Sequence, residues 1–199
     1  MSDMYDIQDT TEKEYDLEEI KDGVYVLSAN GYNIMFLTTG EGLIVVDAQP
    51  SICDKIFQSI FEVTNEHIKY LIYSHAHRDH IGAAHLFQPD VEIIAEQNTA
   101  DLLKASNDSA RTIPTKAFVD NTILTVGNKT IQLTYQGKYH QRGDIFIYVP
   151  DQKVMTVVDQ LVPGNVPWKH LAATPEVPAL LRSYDQVLEY DFDIYVPRH

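Results

Sequence analysis

Ser74-His75-Ala76-His77-Arg78-Asp79-His80 places three histidines and an aspartate within six residues. The apolar run Tyr70-Leu71-Ile72-Tyr73 before it predicts a buried strand. Behind it, Ile81-Gly82-Ala83-Ala84-His85-Leu86-Phe87 predicts the start of a helix. The cluster therefore falls on a strand-to-helix loop, where rigid scaffolds display their chemistry. Side chains two apart in an extended segment point the same way, so His75 and His77 can share one metal. Asp79 and His80 follow the turn and can face a second metal. Imidazole and carboxylate suit zinc, iron or manganese. A solvated polar loop is the plain alternative, and the remaining chain argues against it.

At 199 residues the chain fits one domain with a full core. A hydrophobic content of 44% with 22% charged residues describes an ordinary globule. Fifteen Lys and Arg against 29 Asp and Glu give a net charge of −14. That balance argues against a non-specific nucleic-acid surface and against anionic lipids, so neither nucleic acid nor membrane is an expected partner. The single cysteine, Cys53, has no internal disulfide partner. No apolar run approaches the ~18 residues of a spanning helix, and no basic-then-apolar leader opens the chain. The cytoplasm is the default location, although a processed secreted form would read the same. Nothing in the sequence sets an oligomeric state.

Met1 to about Glu19 is acidic, polar and without apolar period, which reads as a weakly ordered extension ahead of a domain over 20–199. Strands are expected at 24–27, 33–37 and 43–46, separated by Gly31 and by Gly40-Glu41-Gly42. Ser51 is the expected N-cap of a helix carrying Ile52, Ile56, Phe57, Ile60 and Phe61 at helical spacing. After the histidine loop come a strand at 91–95, a short helix at 98–105 and a polar surface loop at 107–115. Strands at 123–126, 130–135, 145–149 and 153–158 precede a late helix over 175–189 and a last strand reaching His199. Two blocks of strands, each followed by helices, fit a two-sheet sandwich covered by helices.

The His-x-His-x-Asp-His loop resembles that of the metallo-β-lactamase-fold hydrolases, and later segments extend the likeness. His140 lies in Gly137-Lys138-Tyr139-His140-Gln141-Arg142-Gly143-Asp144, Asp159 follows Val154-Met155-Thr156-Val157-Val158, and His199 follows Ile194-Tyr195-Val196-Pro197-Arg198. The resemblance runs from about Gly23 to His199. It implies an α+β fold, a four-layer αββα sandwich with two metals at its edge. By matching position, His75, His77 and His140 would hold the first metal and Asp79, His80 and His199 the second, with Asp159 bridging. Two zinc ions per chain are the implied cofactor, with iron or manganese as substitutes. Three protein nitrogens leave the open position that catalytic zinc requires. A hydroxide shared by the metals would attack a small ester-like substrate, with Asp79 as ligand and catalytic proton shuttle. Aspartate at 159, where β-lactam-hydrolysing members place cysteine or serine, leans toward the lactonase, glyoxalase-II-like and phosphodiesterase branches. A lactone or thioester is the expected substrate. The family often uses the position of Asp47 to hydrogen-bond the metal loop; a turn cap is the alternative.

Trp168 is a candidate for a wall of the substrate cleft, with a packed loop anchor as its alternative; His170 beside it reads more as a surface histidine, and Tyr139 is a candidate to orient a substrate oxygen. Arg78 is expected either to meet a substrate anion or to form a structural ion pair. Family members usually continue beyond the position of His199, so the domain is expected to lack the usual C-terminal end and to hold its second metal weakly. Two rivals stand beside the hydrolase. One is a mononuclear iron dioxygenase acting on a persulfide through two histidines and Asp159. The other is a metal-stabilised binding protein without turnover.

Overall fold

The computed structural model describes residues 13–161 and 171–197. The first sheet contains β1 (Asp16–Lys21), β2 (Val24–Ala29), β3 (Tyr32–Leu37), β4 (Leu43–Val46), β5 (Ile68–Ile72), β6 (Glu92–Glu96) and β7 (Lys116–Phe118), in that spatial order. Its first four strands pair antiparallel, and β4 through β7 pair parallel. The parallel crossovers carry α1 (Cys53–Val63), α2 (Arg78–Ile81) and α3 (Gln97–Ser106). The second sheet contains β8 (Asn121–Val126), β9 (Lys129–Tyr135), β10 (Ile145–Val149), β11 (Val154–Val157) and β12 (Ile194–Tyr195), in the order β12-β11-β10-β9-β8. Helix α4 (Val177–Val187) lies between β11 and β12 in sequence. The expected αββα sandwich is what forms.

Alternation in the strands builds the layers, because successive side chains leave a strand on opposite faces. Along β3, Ile34 and Phe36 point to the helix side with Ile56 and Ile60 of α1, while Met35 and Leu37 enter the space between the sheets. Along β10, Ile145, Ile147 and Val149 fill that same space, while Phe146 and Tyr148 face α4 through Leu180 and Val187. Three apolar layers therefore separate four structural ones. Each fully buried Val, Leu, Ile or Phe contributes roughly 1.5–3 kcal/mol, so these apolar layers are what hold the sandwich together.

Four details depart from expectation. The acidic extension stops short of Glu19, because residues 16–21 form the edge strand β1 on β2. Ser51 does not cap α1: its hydroxyl donates to Gln49 Oε1 at 2.8 Å, and Ile52 occupies the cap position without a side-chain bond. The helix expected from Ile81 starts earlier, at Arg78, and lasts one turn, followed by a 3₁₀ turn at Ala84–Leu86. Within α1, Phe61 is 77% exposed, so the apolar stripe ends at Ile60.

The sheets are also tied at a turn. Gly127, at φ +51, opens the two-residue connection from β8 to β9, and Asn128 N donates to Thr39 O at 3.1 Å on the other sheet. No helix among the described residues is long and apolar enough to cross a membrane.

Candidate metal centre

Strand direction gathers the site. Asp47 follows β4, His75 and His77 follow β5, His140 lies in the β9–β10 loop, and Asp159 follows β11. Since β4 and β5 run parallel, their ends lie on one edge, and the second sheet brings β9 and β11 to the same rim. Open sheets of this kind present functional groups beyond the carboxyl ends of their strands.

His75, His77, His140 and Asp159 place ligand atoms within 4.8 Å of one another. Asp159 Oδ2 lies 3.6 Å from His75 Nε2, 3.2 Å from His140 Nε2 and 3.1 Å from His80 Nε2. His77 Nδ1 sits 3.0 Å from His140 Nε2. Asp79 Oδ2 approaches His80 Nε2 at 3.4 Å, with a side chain 53% exposed at the mouth. Asp159 thus lies between the set expected around a first metal and the described part of the set expected around a second. His199 falls outside the described residues, as do Trp168 and His170.

The rings are held from behind. Asp47 is fully buried and accepts Ser74 N and Ser74 Oγ, each at 2.7 Å. Of the two readings of Asp47, the bond to the histidine loop is the one realised. Ser74 Oγ lies 2.9 Å from His75 Nδ1, and His75 Nε2 is buried and makes no hydrogen bond. A ring engaged through one nitrogen, with the other bare and aimed at a carboxylate and two imidazoles, fits a metal ligand. Asp144 accepts His140 N at 3.1 Å and also Gln141 N, fixing the loop that carries His140. Gln141 Oε1 accepts Ala76 N at 2.9 Å and ties that loop to the histidine loop. Arg111 donates to Ala76 O at 2.7 Å and to Asp108 Oδ2 at 2.9 Å. None of Ser74, Gln141, Asp144 and Arg111 belongs to the ligand pattern. Only Asp144, in a tight Gly-Asp turn four residues after His140, carries any local signal.

Burial keeps His75 well below the ordinary histidine range, helped by the charge of His80. His77 is lowered by burial and by His140. Burial opposes a proton on His80 too, but hydrogen bonds and charges from Asp159 and Asp47 outweigh it and lift His80 to about 9. Burial pushes Asp144 up to about 7 against the pull of His140 and of its backbone donors. His80, raised above its ordinary 6.5, stabilises the metal-free fold fully below that value and loses the contribution as pH rises through about 9. Melting of metal-free protein is therefore expected at lower temperature at pH 9.5 than at pH 7. A melting temperature that does not change across that interval would count against the His80–Asp159 pair.

One expected role changes, and one open pair of readings is decided. Tyr139 is fully buried, and its ring packs on Phe146 at 5.4 Å in the layer under α4, so it has no surface for a substrate. Arg78 is 71% exposed and stands 3.9 Å from Asp108, so of its two readings the ion pair is the one realised.

The sequence model of the metallo-beta-lactamase superfamily matches residues 28–199. The chain belongs to that superfamily. Among its curated relatives, "Metallo-beta-lactamase type 2" of Bacillus cereus is 26% identical over 152 residues, covering 70% of this chain and 57% of the relative. The "2,4-dinitroanisole O-demethylase subunit alpha" of Nocardioides sp. (strain JS1661) is 24% identical over 131 residues, covering 65% of this chain and 39% of the relative. The chain thus spans well under two thirds of either relative. A solved metallo-beta-lactamase from Pontibacter korlensis superposes with a TM-score of 0.77 at 19% identity, over 93% of this chain and 91% of that one. A motif variant of the Cronobacter sakazakii metallo-beta-lactamase gives 0.72 at 21% identity, over 92% and 79%. These likenesses establish the fold. Within this superfamily member, the His/Asp cluster has the donor set and the spacing of a metal site.

Proposed function

We propose that this superfamily member is a dinuclear zinc-dependent hydrolase of a small ester-like substrate, a lactone or thioester. The observation that supports it best is the position of Asp159, whose Oδ2 lies within 3.6 Å of His75 and 3.1 Å of His80. One carboxylate between two ligand sets can serve both, with His199 proposed as the remaining ligand of the second. A divalent metal held by these residues would polarise a carbonyl oxygen and acidify bound water. His75 and His77, kept neutral by burial, can offer lone pairs rather than protons. Asp79, half exposed at the mouth and 3.4 Å from His80, would take the proton released on water attack and hand it to the leaving group. Asp47 and Asp144 hold the loops against rotation. The two curated relatives are named for different bonds, so the substrate class rests on the aspartate at 159 and not on family membership.

Elemental analysis of protein purified without chelator or added metal tests the reading. Zinc is expected, up to two equivalents with the second held more weakly, together with turnover of a lactone or thioester that Asp79→Ala largely removes while the fold survives. One iron with oxygen consumption would replace the hydrolase by the persulfide dioxygenase. Bound metal with no turnover that depends on Asp79 would leave a binding protein.

A further inference from the structure

We propose that Ser74 is a positioning residue: its hydroxyl carries the charge of Asp47 to His75 and sets the tautomer in which Nε2 faces the cluster as a bare lone pair. The inference rests on the metal-site reading for its purpose, but not for its geometry. Ser74 and His75 are each 1% exposed, and Asp47 is fully buried, so solvent does not compete for these bonds. Ser74 Oγ has two partners, Asp47 Oδ2 at 2.7 Å and His75 Nδ1 at 2.9 Å. A hydroxyl has one proton to give and lone pairs to receive another. An ionised carboxylate accepts only, so the proton of Ser74 goes to Asp47, and His75 must supply the proton of its own bond from Nδ1. Neutral imidazole carries a single N–H, which leaves Nε2 unprotonated. That is the nitrogen 3.6 Å from Asp159 Oδ2.

Asp47 is well anchored for this task. Its Oδ1 also accepts Ser74 N at 2.7 Å, and its backbone N–H donates to Ile72 O at 2.8 Å, so the residue is tied to the strand end that leads into the histidine loop. Its Oδ2 stands 3.7 Å from His80 Nδ1, so the same carboxylate lies behind a second ring of the cluster. The competing candidate for the Nδ1 proton is Asp144 Oδ1, at 4.0 Å, beyond hydrogen-bond reach. Ser74 is therefore the nearer contact of the two, and it links Asp47 to His75 directly.

Two-bond ¹H–¹⁵N correlation spectra of histidine-labelled, metal-free protein near pH 7.5 test this directly. The expected result is Nδ1 protonated and Nε2 unprotonated at His75 in wild type and in Ser74→Thr, with the tautomers mixed or reversed in Ser74→Ala. Zinc affinity, read by competition with a chromophoric chelator, is expected to drop about 10–100-fold in Ser74→Ala, the range for partners behind a metal ligand. Ser74→Thr is expected to stay near wild type. A wild-type His75 protonated at Nε2 would overturn the proposal, whether or not any variant folds. So would a folded Ser74→Ala with unchanged tautomer and affinity, which would pass the role to Asp144. If zinc fails to bind wild type, the metal-site reading fails, while the spectra still decide what Ser74 does.

Discussion

The Asp159→Asn protein is expected to fold and to lose its chemistry. Asparagine preserves the shape of the side chain and tolerates the left-handed backbone at φ +59. It removes the negative charge that lies within 3.6 Å of nitrogens from three different histidines. Loss of a partner behind a metal ligand costs about 10–100-fold in metal affinity, so loss of a shared ligand is expected to exceed about 100-fold. Hydrolysis should fall at least in parallel. Zinc titration and a turnover assay on the same preparation read both. Unchanged stoichiometry and rate would remove Asp159 from the centre of the site, and with it the argument for two metals.

The largest effect on stability is expected at the turn that ties the sheets, not in the metal site. A methyl group at Gly127 would come within 2.0 Å of Thr39 O and 2.9 Å of Thr39 C, both backbone atoms that cannot step aside alone. The position also has φ +51, which costs an L-residue roughly 1–2 kcal/mol. Relief of the clash by moving one sheet against the other adds about 1–3 kcal/mol, the usual cost of overpacking. For a chain of this size each kcal/mol lowers the melting temperature by about 2–4 °C. Gly127→Ala is thus expected to melt about 4–20 °C below wild type. Gly31 supplies the control, because it also has positive φ, at +80, yet nothing lies within 4 Å of its added methyl. Equal melting temperatures for the two alanine variants would show that the contact between Gly127 and Thr39 holds nothing together.

The parts of this fold that sequence reveals are those in which burial dictates residue type. β3 and β10 are apolar on both faces because each lies between two layers, and they read as strands for that reason. β1 hides because its residues are mostly exposed and charged, and the ladder to β2 holds it, not burial. An edge strand with outward charge is also protected from pairing with other chains. β7 is three residues long and paired through its backbone, so its side chains carry little signal. In the site, His75, His77, His140 and Asp159 were legible because metal binding restricts residue type at fixed spacing. Tyr139 misleads through adjacency: the neighbour of a residue that faces the rim turns the other way, here into the layer beneath α4. Gln141 and Arg111 act through bonds that span 65 and 35 positions of sequence, and no local pattern announces them.

The left-handed backbone of Asp47 and Asp159, at φ +65 and +59, has a consequence for how this site can change over generations. Each residue sits where its strand stops, and there a β-branched or bulky side chain meets its own carbonyl before it meets any ligand. Glycine, asparagine and aspartate pass that steric filter most readily, and of these only aspartate brings a charge. Mutational drift at either position is therefore screened by the backbone first and by chemistry second. A lineage leaving aspartate at 159 passes most cheaply through asparagine or glycine, which keep the fold while the metal chemistry is silent.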